Sequence, residues 1–308
     1  MKFKSTTTAP FLVLAVSILT LLVSYLDIDK LSEKGSSIYL AWLVIELMVF
    51  VVPSVFYCKL KGNGYTETLG LRPFALSRLS LLGFLLLVLL SGVILLKVVM
   101  VRYGMLSDLS SSGVIEGTDG VGMGAAGTLY LIFTAAILPA VVEEFLFRGV
   151  ILSEYAHLGG VCSVTVSALF FGMVHFSLEQ FPIYFFGGLI MGAAAYLTRS
   201  LLASILLHTV YNLFTLYAEG FVWKLLWEEQ SHIFFLYILA VIFLLFLVLA
   251  MGESERIFYG YAISSRGEVP FVKRTTKNLA QSVGQIMLSI GFLLCIALFL
   301  LITMIQRG

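Results

Sequence analysis

Residues 139–150 read Pro-Ala-Val-Val-Glu-Glu-Phe-Leu-Phe-Arg-Gly-Val and set two adjacent carboxylates, Glu143 and Glu144, and the cation Arg148 into a long apolar run. Ionisable groups at membrane depth are costly, so they face a bundle interior or a wet cavity and mark function. On a helix, Glu144 and Arg148 are i,i+4 neighbours on one face. Glu143 points about 100° away, so the two carboxylates cannot share one role. One glutamate is held by Arg148 and the other is free to react. A lone Glu–Arg pair would read equally well as an interfacial ion pair ending a transmembrane helix. The second carboxylate has no partner in this stretch, and an unpaired buried charge adds cost. Its partner has to come from elsewhere in the chain.

Two later apolar segments supply polar groups. One ends in Phe171-Gly-Met-Val-His175, and the next but one contains His208-Thr-Val-Tyr-Asn212. Phe171 and His175 share a helical face, as do His208 and Asn212. A chain turn near Gly159-Gly160 lies about equally far from Glu144 and His175, so an antiparallel helix pair brings both to one depth. His157 and His232 fall at helix ends, where solvated histidines are ordinary.

A carboxylate beside an imidazole can position and deprotonate water. An Asn amide and a second imidazole can donate to a developing oxyanion. That set suits hydrolysis of a carbonyl compound. The competing chemistry is a metal site, with Glu143, His175 and His208 holding Zn²⁺ and water in the open position. Side-chain types alone do not separate the two. The chain has no Gly-x-Ser-x-Gly elbow and no His-Glu-x-x-His, and no Cys lies near either candidate histidine.

The elements that position these groups are membrane helices. The sequence is 60% hydrophobic and 12% charged, with mean hydropathy +1.02. Soluble domains carry about 25% charged residues, so a soluble protein is excluded. Net charge is +1, which suggests no nucleic-acid partner. Cys58, Cys162 and Cys295 show neither metal nor redox spacing and read as inert thiols. Apolar runs predict nine spans, at about 9–26, 38–58, 79–101, 127–148, 161–177, 182–198, 200–218, 232–251 and 283–305. The short middle runs make eight the alternative count. The first reads as a retained anchor, because no small-x-small cleavage site follows it.

With a cytoplasmic N-terminus, thirteen Lys and Arg residues fall on inside segments and five on outside ones, leaving Lys97 alone within a span. That bias predicts N-in, C-out. Residues 59–78 and 252–282 read as inside loops, and the Gly/Ser-rich 103–126 as a flexible outer loop. Gly188-x-x-x-Gly192 is a small-residue stripe that lets another helix approach closely. The expected fold is all-α, a polytopic transmembrane helical bundle of about eight or nine spans around an intramembrane cavity. It forms a single membrane domain over 1–308, with a core at 125–218 and accessory spans at 1–124 and 219–308.

Glu-Glu-x-x-x-Arg, then Phe-x-x-x-His, then His-x-x-x-Asn, in this order on separate hydrophobic helices, resembles the CAAX protease and bacteriocin-processing family of intramembrane endopeptidases. The flanking Phe145-Leu-Phe-Arg-Gly149 also looks like that family's first motif, and the resemblance covers about residues 125–218. It implies that Glu143 and His175 activate water, that His208 and Asn212 stabilise the oxyanion, and that Glu144 and Arg148 brace the site, with Phe171 beside it. It implies no obligatory cofactor, with Zn²⁺ as the alternative. It further implies a membrane-associated peptide or protein-tail substrate, lipidated or not, a plasma (inner) membrane location, and a cavity open to the cytoplasm and laterally to lipid. Two other readings stand beside it. One is a non-catalytic scaffold or bacteriocin-immunity protein of the same fold. The other is a transporter, which would call for inverted repeats that the sequence does not display.

Overall fold

A computed structural model describes residues 5–25, 35–62, 69–106, 125–228, 232–264 and 276–306, and every described element is helical. The helices are α1 (Ser5–Ser24), α2 (Gly35–Glu46), α3 (Val52–Lys61), α4 (Leu79–Arg102), α5 (Ala125–Ile132), α6 (Leu138–Glu144), α7 (Leu152–Tyr155), α8 (Gly160–Val174), α9 (Phe181–Thr198), α10 (Leu201–Tyr217), α11 (Glu219–Glu228), α12 (His232–Ser264), α13 (Thr276–Met287) and α14 (Ile290–Ile305). Among the described residues six helical stretches are long and apolar enough to cross a membrane: 7–24, 40–61, 76–102, 127–158, 181–198 and 233–261. A seventh arises if α10 and α11, bent by 57°, count as one. The apolar helices α8 and α14 are shorter. All nine expected segments are therefore helical, but α8 and α14 fall short of a full crossing by length. The protein is an all-α integral membrane protein.

Three π segments interrupt two of these stretches. π turns at Leu47–Val51 and Phe133–Ile137 precede Pro53 and Pro139, each at the start of the following helix. Proline offers no N–H and its ring crowds the carbonyl one turn back, and a wider turn relieves both. A third π segment, Phe145–Ile151, follows Glu144 without a proline, so helix continues through the expected end near 148 to Leu158. The chain then reverses at Gly159, whose φ of 92° suits glycine, and enters α8.

α8 and α9 pack tightly at the small-residue stripe: a Cβ on Gly188 would lie 3.0 Å from Ala168 Cα, and one on Gly192 3.0 Å from Val164 Cγ1. α14 returns to α1, where Cys295 Sγ lies 3.4 Å from Pro10 O, and also reaches α8 through the Phe170–Phe292 ring contact at 5.4 Å. The C-terminal helix thus covers the core from outside. Within the expected inside segment 252–282, α12 continues to Ser264 and α13 begins at Thr276, so both of its described parts are helix rather than loop, and 265–275 lie outside the described residues. Charged residues lower hydropathy there without breaking the helix, and Glu253 accepts from Ser80 Oγ at 3.0 Å and Arg256 Nη2 at 2.6 Å. Most of the expected outer loop, residues 107–124, lies outside the described residues.

Candidate active site

Four elements deliver the polar groups to one place. α6 ends on Glu143 and Glu144, His175 caps α8, Tyr184 sits in the first turn of α9, and His208 and Asn212 lie one turn apart on α10. A cavity of about 370 Å³ opens among them. Glu143, Phe171, His175, His208 and Asn212 line it, together with Lys97, Gln180, Tyr184 and Tyr211. The three motifs do converge in space.

The two glutamates separate as their helical angles require. Glu144 is fully buried, and its Oε1 accepts from Arg148 Nη1 at 2.7 Å and from His208 Nδ1 at 2.9 Å. Arg148 Nη2 donates to Gly188 O at 3.0 Å, and the guanidinium lies 4.6 Å from the Phe171 ring centroid. Glu144 and Arg148 are not among the cavity-lining residues; they form the wall behind it. Glu143 faces the cavity, its buried Oε2 lacks a hydrogen-bond partner, and that oxygen lies 4.0 Å from His208 Nε2. His208 therefore bridges the glutamates, one ring nitrogen towards each.

His175 is fixed differently. Its Nδ1 pairs with Phe171 O at 2.7 Å, and its ring stacks on Tyr184 with centroids 3.8 Å apart. A carbonyl can only accept, so Nδ1 carries the proton and Nε2 of the neutral ring keeps its lone pair. Tyr184 is itself held by donation from its hydroxyl to Gln180 Oε1 at 2.9 Å. Asn212 Nδ2 donates to Ala136 O in the π turn at 3.2 Å, which leaves its second amide proton for another acceptor. Among the described residues no three His, Cys, Asp or Glu side chains come together closely enough to hold a metal ion. Glu143, His175 and His208 line one cavity but are not arranged as a ligand set.

Sequence reasoning did not single out Tyr184, Gln180 or Tyr211. Nothing local marks Tyr184 among the chain's fourteen tyrosines. Lys97 stood out as a cation within a span, but its partner did not: it forms a buried ion pair with Glu219, which also accepts from Trp223 Nε1 at 3.1 Å. Glu46, at the end of α2, has a buried Oε2 without a partner and was also missed. The cysteines are free thiols.

The cavity walls come from one half of the bundle. Lys97 lies near the end of α4, Gln180 and Tyr184 at the start of α9, and Thr215 and Leu216 at the end of α10. Lys59, Lys61, Arg72, Arg78 and Arg199 lie at the opposite end.

Comparison with known proteins points to the same stretch. Residues 125–214 match the model of the type II CAAX prenyl endopeptidase Rce1-like family. Every residue of the three motifs falls inside that match, whereas Lys97 and Glu219 fall outside it. The chain is also 31% identical over 88 residues to the membrane-embedded CAAX protease MroQ of Staphylococcus aureus (strain USA300). That similarity covers 26% of this chain and 36% of the relative. No solved structure matches the chain.

Proposed function

We propose that this chain is an intramembrane endopeptidase that cleaves a membrane-associated peptide or protein tail, with or without an attached lipid, by water activated at Glu143 and His175. The supporting observation is the sorting of the two glutamates: Glu143 opens on the cavity with His175, His208 and Asn212, while Glu144 is buried behind it with Arg148. The match of residues 125–214 to the Rce1-like family supports the same reaction class.

In this reading a water in the cavity is held by Glu143 and by the lone pair on His175 Nε2. Glu143 takes its proton as the oxygen attacks the scissile carbonyl carbon. The carbonyl oxygen, now negative, receives hydrogen bonds from Asn212 Nδ2 and from His208 Nε2–H, while His208 Nδ1 stays with Glu144. Protonated Glu143 then returns its proton to the leaving amine, which gives a carboxylic acid and an amine. Arg148 and Glu144 hold His208 in place and do not touch substrate.

The protein is placed in the plasma (inner) membrane with a cytoplasmic N-terminus. The basic end of the bundle favours that orientation. The cavity walls come from the other half, which supports an opening away from the cytoplasm and argues against the cytoplasmic opening that the resemblance implies.

The test is cleavage of a quenched library of apolar and lipidated peptide tails by detergent-purified protein, with and without a strong chelator. Chelator-resistant cleavage that His208→Ala lowers by about 10²–10³ is the expected result. Chelator-sensitive cleavage would transfer the same residues to a metal site. Folded protein that cleaves no tail would count against the proposal.

A further inference from the structure

A second cavity, of about 420 Å³, lies at the basic end of the bundle, on the far side of the Glu144–Arg148 pair from the first. Arg72, Arg148 and Arg199 all line it, and among the described residues no Asp or Glu does. Two backbone-level ties hold the exposed arginines side by side. Leu201 N–H donates to Gly70 O at 2.9 Å, and Ser200 Oγ donates to Arg72 O at 2.5 Å, so the 70–72 segment is stitched to the turn that carries Arg199. Arg199 also lies 3.9 Å from the Tyr261 ring centroid, which ties it to α12. Arg148 is 2% exposed, and its Nε is buried without a hydrogen-bond partner.

Arg148 is already paired with Glu144, so Arg72 and Arg199 are the guanidinium groups around the void that an anion would neutralise. Arg suits phosphate in particular, because its fixed fork of donors matches phosphate oxygens. Leu69, Leu152, Leu201 and Phe258 form an apolar part of the wall, beside the hydroxyl-bearing Ser153, Ser200, Tyr196 and Tyr261. A free inorganic ion has no use for those carbons, whereas a phospholipid brings a phosphate and acyl chains together. The cavity also lies at a bundle end, where headgroups are.

We propose that the Arg72–Arg148–Arg199 cavity binds a phosphate anion, presented as the headgroup of an anionic phospholipid. It would be a site separate from the cavity that holds Glu143, and it does not depend on the protein being a protease. Dispersed basic residues that only set membrane orientation would show no preference for one bound lipid.

The experiment uses the full-length protein in micelles of neutral detergent, doped with phosphatidylglycerol or with phosphatidylcholine, or given inorganic phosphate alone. Bound lipid is counted by native mass spectrometry and thermal stability is followed in parallel. Wild type is expected to retain one phosphatidylglycerol in preference to phosphatidylcholine and to melt about 3 °C or more higher with it. Arg72→Gln/Arg199→Gln, at two exposed positions, should lose both effects while melting like wild type in phosphatidylcholine. Arg72→Gln alone should lose part of them. Equal retention of the two lipids by wild type, or undiminished phosphatidylglycerol retention by the double variant, would overturn the proposal. A full shift from inorganic phosphate alone would overturn the lipid assignment.

Discussion

Glu144 Oε1 accepts hydrogen bonds from both Arg148 and His208, at 2.7 and 2.9 Å, in a fully buried position. This one oxygen joins the first motif to the third and leaves Glu143 as the carboxylate that faces the cavity. Neutralising the two glutamates should therefore have opposite consequences for folding. Glu144→Gln leaves Arg148 charged and unpaired and should cost about 3–5 kcal/mol. Glu143→Gln removes an orphaned buried carboxylate and should be neutral or stabilising. Thermal melts of the two variants in one detergent decide it, and equal losses would contradict the division of roles.

Arg148→Lys should behave as a loss, although it keeps the charge. Arg148 reaches Glu144 with one guanidinium nitrogen and Gly188 O with another, and it stacks near Phe171. An ammonium on a flexible stem does not reproduce that fork. Lower melting temperature together with a drop of at least tenfold in kcat/KM is expected, and wild-type behaviour would show that the bracing is dispensable.

The buried Lys97–Glu219 pair links α4 to α11. Lys97→Met strands Glu219 and should cost about 3–5 kcal/mol, while Lys97→Met/Glu219→Gln should recover much of that loss. A double-mutant cycle on melting free energies measures the difference. Additive losses would mean that the two side chains act independently.

At the α8–α9 contact, Gly188→Leu should destabilise by about 1–3 kcal/mol or more, because a Cβ already meets Ala168 Cα at 3.0 Å. A variant as stable as wild type would mean that the two helices are not held at that distance.

Orientation is open to direct labelling. Leu76 and Tyr103 are 80% and 78% exposed at opposite ends of α4. In a background lacking the native cysteines, Leu76→Cys should react with a membrane-impermeant maleimide only after the cytoplasmic side is opened, and Tyr103→Cys should react in intact cells. The reverse pattern would turn the bundle over and send the Glu143 cavity towards the cytoplasm.

Much of this arrangement is legible in the sequence, for identifiable reasons. Apolar runs located the nine helical segments, because backbone groups in lipid must be satisfied within a helix. The i,i+4 spacing of Glu144 and Arg148 gave their ion pair, and Gly188-x-x-x-Gly192 gave the close helix contact. The bridging position of His208 was not readable: it is set by a contact across 64 residues, and the second motif would equally have allowed His175 to meet a glutamate instead. Lys97 and Glu219 are 122 residues apart and belong to no local pattern. The π segment after Glu144 likewise carries no proline to announce it, although it shifts every later side chain on that helix.

The central claim is that Glu143 is the base and Glu144 is not. Its most direct test is the cleavage rate of one identified peptide by wild type and Glu143→Gln protein, each shown by thermal melt to be folded. A loss of about 10²–10⁴ in kcat for Glu143→Gln, with melting temperature unchanged or raised, is the predicted result. A folded Glu143→Gln protein that still cleaves at the wild-type rate would contradict it.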